Sequence, residues 1–237
     1  MIRTGRLAAL HVRRGLWYDG LRCTCGGASA AFLRPLPMSD SPSPPEFDRL
    51  VDGAVRAVAS LARIRGDFER AADLVVGALR AGRKVLAAGN GGSAAEAMHL
   101  AEELSGRYHA DRRALPGLAL CADGTALTCI GNDFGFADVF ARQVEAFGAE
   151  GDVLALFTTS GRSENLLRAA RAARARGVRV LAFTGRGGGP LAPLADVLLD
   201  VPDADASAHV QEAHQVLLHA LLEHVEAAFP PEPGNPA

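Results

Sequence analysis

A histidine and a carboxylate stand four residues apart in a stretch that has the spacing of a helix. His99 and Glu103 therefore lie on one face of a predicted helix that begins at Ser93. An imidazole and a carboxylate placed in this way can transfer protons or bind a metal ion. By themselves they could equally be a histidine whose hydrogen bonds are satisfied and a solvated carboxylate. The pair gains meaning only from the rest of the chain.

The last apolar segment, predicted as a helix over residues 207–229, carries a second group of polar side chains. These are Gln211, Glu212, His214 and His219. Gln211 and His219 are eight residues apart, about two helical turns, so both side chains can project toward one site. Two imidazoles, a carboxylate and an amide suit zinc, although the pattern does not choose between Gln211 and His214. His209 and His224 lie nearer the helix ends and are expected to be solvated.

Two loops rich in glycine and hydroxyl groups each follow a predicted strand and precede a predicted helix. The first contains Gly-Asn-Gly-Gly at residues 89–92, and the second spans residues 158–163. Backbone N–H groups at a helix N-terminus bind anions, and hydroxyl groups can donate hydrogen bonds to phosphate oxygens. The first loop has neither the dinucleotide-binding glycine pattern nor the Gly-Lys-Ser/Thr of a nucleotide P-loop. It could be a tight turn without a ligand, but two such loops at strand ends indicate a sugar phosphate.

Composition narrows the class of protein. The chain has 237 residues, of which 49% are hydrophobic, and a formal charge of −2. It has no basic stripe that would predict nucleic-acid binding and no apolar run long enough to span a bilayer. Cys121 and Cys129 have apolar neighbours and are predicted to be buried thiols of a reducing compartment, whereas Cys23 and Cys25 are predicted to be unpaired rather than metal-bound. These features predict a cytoplasmic protein that has neither nucleic acid nor a membrane as its partner.

The chain divides into three parts by pattern. Residues 1–45 lack sustained periodicity and end in a proline-rich linker at 39–45, directly after Met38. We expect Met38 to be the natural start, with residues 1–37 an upstream read-through that is disordered or loosely packed. Residues 46–230 form the predicted folded domain, and residues 231–237 form a tail.

Strand and helix patterns alternate through the folded part. Strands are predicted at 84–88, 115–121, 152–157, 178–183 and 197–201, and helices at 46–65, 68–81, from Ser93 onward, at 136–147, 164–176 and 207–229. Residues 126–130 are helical or extended, and residues 131–135 form a turn. This order predicts an α/β fold in which helices cover both faces of a five-stranded parallel sheet, with ligands at the carboxyl ends of the strands. The two leading helices pack outside the sheet or against another subunit.

Five spaced motifs together closely resemble the phosphoheptose isomerases, which are sugar-isomerase (SIS) domain enzymes. The motifs are residues 88–93, 98–108, 131–136, 159–163, and 210–214 with His219. The resemblance runs from about Phe47 to the end of the last helix. It implies an SIS-type three-layer sandwich that isomerises sedoheptulose 7-phosphate to D-glycero-D-manno-heptose 7-phosphate, the first step of nucleotide-activated heptose biosynthesis. It also implies a homotetramer with shared active sites and one zinc ion per subunit.

The resemblance also assigns roles to residues. The implied zinc ligands are His99, Glu103, Gln211 and His219, and this choice of Gln211 rests on the family alone. The implied substrate-binding residues are Asn90, Gly91, Gly92, Glu103, Asn132, Asp133, Thr158, Thr159, Ser160, Ser163 and Gln211. As the catalytic hypothesis, Glu103 is the base at carbon and His219 its partner at the oxygens.

Three other functions share much of this pattern. A non-catalytic SIS scaffold that binds a protein partner, such as a replication initiator, tends to lack the paired zinc ligands. A sugar-phosphate-sensing regulator usually carries a DNA-binding domain, for which residues 1–45 are too short and unpatterned. An isomerase for another sugar phosphate could share every motif, so only substrate testing separates it from the main hypothesis.

Overall fold

The computed structural model describes residues 46–231, so the predictions for residues 1–45, for most of the tail, and for Cys23 and Cys25 lie outside the described residues. Five strands form one parallel sheet in the order β2-β1-β3-β4-β5. Their bounds are β1 (Val85–Gly89), β2 (Gly117–Ala119), β3 (Val153–Phe157), β4 (Arg179–Gly185) and β5 (Val197–Val201). The predicted five-stranded parallel sheet is confirmed.

Seven α-helices accompany these strands in the described residues. They are α1 (Phe47–Ser60), α2 (Arg65–Arg80), α3 (Gly92–Ser105), α4 (Gly124–Phe134), α5 (Ala141–Phe147), α6 (Glu164–Ala175) and α7 (Ser207–Ala228). Short 3-10 turns occupy Leu61–Ile64, Phe136–Asp138 and Gly189–Leu194. Helices α2, α3 and α7 cover one face of the sheet and α5 and α6 the other, which confirms the three-layer arrangement.

The core follows the two-residue period of buried strands. Val85 and Ala87 of β1 pack in one apolar cluster with α2, α3 and α7. Leu86 and Ala88, which point to the opposite face, pack in a second cluster with α5 and α6. Because both faces are covered, the strands are continuous apolar runs rather than alternating ones. The loops at the carboxyl edge of the sheet therefore follow strands that are packed on both faces.

The strand order reverses direction between β1 and β3. From β1 the chain moves outward to the edge strand β2, and it then returns to the other side of β1 to form β3. Ligands of open α/β sheets bind at the carboxyl ends of strands at such a switch point. The loops that follow β1 and β3 are the two loops that the sequence predicts to bind phosphate.

Several predicted boundaries are wrong, each for a local reason. Residues 131–134 are not a turn, because the side chain of Asp123 caps α4 by accepting hydrogen bonds from the N–H groups of Thr125 and Ala126, and the helix runs through to Phe134. The predicted helix at 136–147 is a 3-10 turn followed by α5. The strand at 115–121 shortens to three residues at the sheet edge. No helix among residues 46–231 is long and apolar enough to cross a membrane.

Candidate active site

The loop after β1 requires glycine at particular positions. Gly91 has φ 56° and ψ −123°, which favours glycine, and a Cβ at Gly89 would overlap the backbone carbonyl of Ser93. A Cβ at Gly92 would lie 2.5 Å from the Gln211 amide nitrogen. The tight loop therefore brings the N-terminus of α3 directly against α7. The predicted N-cap, Ser93, lies instead inside α3, which begins at Gly92.

Helix α3 presents His99 and Glu103 on one face, as their spacing predicts. His99 Nε2 is 3.3 Å from Glu103 Oε1. His219 of α7 meets His99 edge-on, with ring centroids 5.3 Å apart and an interplanar angle of 79°. The packing of α3 against α7 thus puts His219 beside His99, although the ligand atoms that lie within 4.8 Å of one another belong to His99, Glu103 and Glu102 and not to His219.

The fourth predicted ligand, Gln211, makes a different contact. Its Nε2 donates to Ser93 Oγ at 3.3 Å, at the N-terminus of α3. Gln215, one turn further along α7, is the amide that contacts His99, with 3.0 Å between Gln215 Nε2 and His99 Nδ1. Gln211 would need another side-chain rotamer to reach an ion held by His99.

The loop after β3 builds a small hydroxyl-lined cavity of about 220 Å³. Its lining includes the predicted residues Asn90, Thr158, Thr159, Ser160, Ser163 and Gln211, together with Ser93 and Ser207. Ser163 precedes α6 but makes no side-chain cap hydrogen bond there. Its hydroxyl is thus free to face the cavity. The N-termini of α3 and α6 both begin at this cavity, which suits an anion.

Asn90 is held in place by a reciprocal pair of amide hydrogen bonds. Asn90 Nδ2 donates to Asn165 Oδ1 at 3.0 Å, and Asn165 Nδ2 donates to Asn90 Oδ1 at 2.8 Å. This pair joins the loop after β1 to α6. It fixes the distance between the two loops across the switch point.

A larger cavity of about 440 Å³ opens beside the first, between α3 and α7. Its lining residues are Gly92, Ala95, Glu96, His99, Ala208, Gln211, Glu212 and Gln215. Gln211 borders both cavities. A molecule with an anionic end and a polar chain can therefore place the anion among the hydroxyls and extend its chain past Gln211 toward His99.

Four predicted substrate-binding residues line neither cavity, namely Gly91, Glu103, Asn132 and Asp133, and the predicted catalytic residue His219 lines neither of them. Asn132 and Asp133 are exposed near the end of α4, and they contact each other through Asn132 Nδ2 and Asp133 Oδ1 at 2.7 Å. Neither lines either cavity of its own chain. Substrate binding by Asn132 and Asp133 therefore stays a prediction.

Three predictions about exposure are wrong. Cys129 is exposed on α4 and Cys121 is half-buried. For Cys121, burial raises the pKa of the thiol. His209 is buried rather than solvated because α1 packs against α7 over it, with Gly53 directly on the imidazole ring.

Sequence reasoning missed several polar groups at the site. Glu102 adds a ligand atom, and one atom from each of His99, Glu102 and Glu103 lies within 4.8 Å of the others. Tyr108 stacks against His219 at 6.0 Å, and burial together with the charges of Glu223 and Glu103 raises the pKa of its hydroxyl. Only the packing of the loop after α3 brings Tyr108 there, so helical periodicity gave no signal for it.

Behind the cavity lies a buried acid–imidazole contact. His214 is fully buried, with Nε2 3.2 Å from the Thr184 carbonyl oxygen and Nδ1 3.6 Å from Glu96 Oε2. Among the described residues, neither Glu96 oxygen has a hydrogen-bond partner, and neither does His214 Nδ1. His214 is thus packed beneath α3; of Gln211 and His214, Gln211 borders the cavities and His214 does not, while the choice of zinc ligand stays a prediction.

A buried ion pair fixes the far ends of the two helices. The side chain of Arg112 is fully buried, and its Nε lies 2.8 Å from Glu226 Oε1 of α7. Its remaining N–H groups donate to the carbonyl oxygens of Glu103 and Leu104, at 2.6 Å and 3.0 Å. The contact holds the end of α3, which carries Glu103, against α7.

The sequence of this chain is similar to a known protein family and to individual proteins. The chain matches the SIS domain family over residues 53–185. It is 48% identical over 179 residues to the phosphoheptose isomerase of Bradyrhizobium sp. (strain ORS 278), a match that covers 76% of this chain and 85% of that protein.

Solved structures agree with the sequence matches. A phosphoheptose isomerase from Neisseria gonorrhoeae superposes with a TM-score of 0.71 at 40% identity, over 76% of this chain and 96% of that chain. A phosphoheptose isomerase from Francisella tularensis gives the same TM-score at 35% identity and the same coverage of both chains. The five-stranded sheet and its flanking helices are thus shared with these structures.

Proposed function

Because the chain belongs to the phosphoheptose isomerase family of SIS-domain proteins, we propose that it converts sedoheptulose 7-phosphate to D-glycero-D-manno-heptose 7-phosphate. This aldose–ketose isomerisation is the first step of nucleotide-activated heptose biosynthesis. One observation carries the proposal. A hydroxyl-lined anion cavity and a larger cavity that reaches His99 meet at Gln211, as a phosphorylated sugar of extended length requires.

The reaction moves a proton between two neighbouring carbons and another between their oxygens. Glu103 removes the proton from one carbon and returns it to the other, and His219 transfers the proton between the two oxygens. Both side chains adjoin His99, at the end of the site remote from the anion cavity. The phosphate thus anchors the substrate while the carbonyl end lies beside the acid and base.

The donor set fits zinc, which we include in the proposal as one ion per subunit. Imidazole nitrogens and a carboxylate oxygen are normal zinc ligands; His99 and Glu103 offer ligand atoms within 4.8 Å of each other, and the His219 ring packs beside His99. Gln211 completes the proposed set after a change of rotamer. When bound, zinc supplies Lewis-acid polarisation of the substrate carbonyl.

A homotetramer with shared active sites also belongs to this proposal. Large apolar side chains are exposed on α1 and near α4, including Phe47 at 77% and Phe136 at 66%. Such surfaces favour burial against another subunit. In a tetramer with shared active sites, Asn132 and Asp133 would line the cavity of a neighbouring subunit. The free thiols of Cys121 and Cys129 support a cytoplasmic location.

Turnover of sedoheptulose 7-phosphate by the purified protein tests the reaction, with metal analysis and light scattering on the same sample. We expect turnover that a chelator abolishes and zinc restores, and a mass four times that of the 24.7 kDa chain. A folded, zinc-loaded protein that does not turn over this sugar would point to another sugar phosphate. Absence of both turnover and zinc would favour a non-catalytic scaffold.

A further inference from the structure

His99 Nδ1 contacts Gln215, a residue to which the family resemblance assigns no role. Gln215 lies on α7 midway between Gln211 and His219, four residues from each. Its amide nitrogen is 3.0 Å from His99 Nδ1. The other ring nitrogen, Nε2, faces Glu103. The imidazole is therefore held between Gln215 on one side and Glu103 on the other.

The remaining atom of the Gln215 amide is unsatisfied. Gln215 Oε1 is buried and has no hydrogen-bond partner among the described residues. A buried polar atom without a partner costs about 1–3 kcal/mol. The oxygen and nitrogen of a carboxamide have nearly the same shape, so a half-turn of the amide exchanges them without disturbing the packing.

Each amide orientation selects one tautomer of His99. With Gln215 Nε2 toward the ring, the amide donates to the lone pair of Nδ1, and the ring proton lies on Nε2, facing Glu103. With Gln215 Oε1 toward the ring, the oxygen accepts from Nδ1–H, and the lone pair lies on Nε2. Only the second arrangement leaves Nε2 free to bind a cation beside Glu103.

We propose that Gln215 is a positioning residue for His99, and that its amide turns its oxygen to Nδ1–H when the cation binds at Nε2. The inference rests on the zinc site of the proposed function. Metal-bound histidines generally donate their other N–H to a neighbouring acceptor, which orients the ring. Here the same half-turn pairs Oε1 with Nδ1–H and moves the amide nitrogen to the position that Oε1 leaves.

Gln215 does not act as a ligand itself. Its contact is with Nδ1, on the side of the ring away from Glu103, so its amide and the Glu103 carboxylate lie at opposite nitrogens. An ion bound by Nε2 and Glu103 is thus beyond the Gln215 amide. The role of Gln215 is to select the tautomer and fix the ring.

Zinc affinity measured by competition with a chromophoric chelator tests this role without any activity assay. We expect Gln215→Leu to weaken zinc binding by about 10- to 100-fold, the usual effect of losing such an acceptor. Gln215→Glu keeps an acceptor of the same length at Nδ1–H, so it should bind zinc at least as tightly as the parent. Apo-protein melting temperatures check folding, and Gln215→Met replaces Gln215→Leu if the latter does not fold.

The outcomes separate this inference from the proposed zinc site. Equal zinc affinity in the parent protein and Gln215→Leu would overturn the role of Gln215 alone. A loss in Gln215→Glu as large as in Gln215→Leu would also overturn it, because the acceptor would then not matter. A parent protein that binds no zinc would overturn the proposed metal site and this inference with it.

Discussion

Glu103 is the residue on which the proposed chemistry depends most. As the base at carbon, it must be a carboxylate, and glutamine keeps its shape without its basicity. We expect Glu103→Gln to lower kcat by about 10²- to 10⁴-fold, the usual contribution of a general base. The far-ultraviolet circular dichroism should not change. Turnover of sedoheptulose 7-phosphate and zinc content, measured on the same samples, distinguish loss of the base from loss of the metal.

Glu102 provides the comparison for that experiment. It is the next residue of α3, is exposed, and is within 4.8 Å of the same potential ligand atoms. In our assignment Glu102→Gln lowers kcat far less than Glu103→Gln. A larger loss for Glu102→Gln would mean that the wrong carboxylate of the helix was chosen.

The spacing of residues predicted which side chains share a face of a helix. It did not predict which turn of α7 contacts His99 of α3. The pairing of His99 with Glu103 follows from spacing alone and is confirmed as a contact. Gln211 and Gln215 lie one turn apart on the same face, so only the packing of α7 on α3 puts Gln215 at His99. The burial of His209 depends likewise on α1, which is distant in sequence.

At the scale of elements, the close approach of α1 to α7 depends on one glycine. A Cβ at Gly53 would overlap the imidazole of His209. Gly53→Ala should therefore lower the free energy of unfolding by about 1–3 kcal/mol, as overpacking in a core does. Chemical denaturation at a fixed protein concentration measures this change.

Gly77 is the matched control for that substitution. It lies within α2, and a Cβ there would meet nothing within 4 Å. Gly77→Ala should raise the free energy of unfolding by about 0.5–1 kcal/mol, because alanine has the higher helix propensity. If both glycines responded alike, steric contact with His209 would not be the cause.

The N-terminal ends of β1 and β3 are joined through the buried Asp152, which precedes β3 and contacts Lys84, the residue before β1. Burial by itself raises the pKa of this carboxyl. Hydrogen bonds from the Lys84 ammonium and from the backbone N–H groups of Lys84 and Ala149, together with the charge of Lys84, outweigh burial, so the pKa lies below its ordinary value. The carboxylate therefore stabilises the fold above the pKa of the unfolded chain, and this contribution disappears as pH falls through the lower pKa of the folded state.

Asp152→Asn makes that linkage measurable. At pH 7 we expect it to lower the free energy of unfolding by about 1.5–3 kcal/mol, the range for hydrogen bonds to a charged group. The difference from the parent should stay constant at neutral pH and shrink below about pH 4, where the unfolded carboxyl also becomes protonated. Asp73→Asn, at an exposed position of α2, should show little change at any pH. An undiminished difference at pH 3 would contradict the role of the charge.

Element order was predictable because buried parallel strands and amphipathic helices leave strong periodic signals. The boundaries of the elements were less predictable, because they depend on single capping contacts. The turn predicted at 131–135 relied on its glycine and asparagine residues, whereas Asp123 caps a helix that continues through them to Phe134. The edge strand β2 has three residues and pairs on one side only, with β1.

At the scale of the whole molecule, one chain does not complete the set of residues that the family resemblance implies. Asn132 and Asp133 lie on α4 and line neither cavity, while Phe134 and Phe136 beside them are exposed apolar side chains. Burial of these aromatic rings in a subunit contact would carry the Asn132–Asp133 pair into a neighbour. The proposal of a shared site therefore predicts that Glu103 and Asp133 of one active site come from different chains.

Mixing two inactive variants tests that statement directly. If Glu103 and Asp133 of one site come from different chains, a tetramer of Glu103→Gln and Asp133→Asn subunits contains some sites with both parent residues. Random mixing then restores about a quarter of the parent activity, because each site draws its two residues independently from two equally abundant chains. If one chain supplies both residues, every site carries one defect and the mixture stays inactive. Unfolding and refolding the mixed variants, with each variant treated alone as the control, would therefore decide between a shared site and a site within one chain.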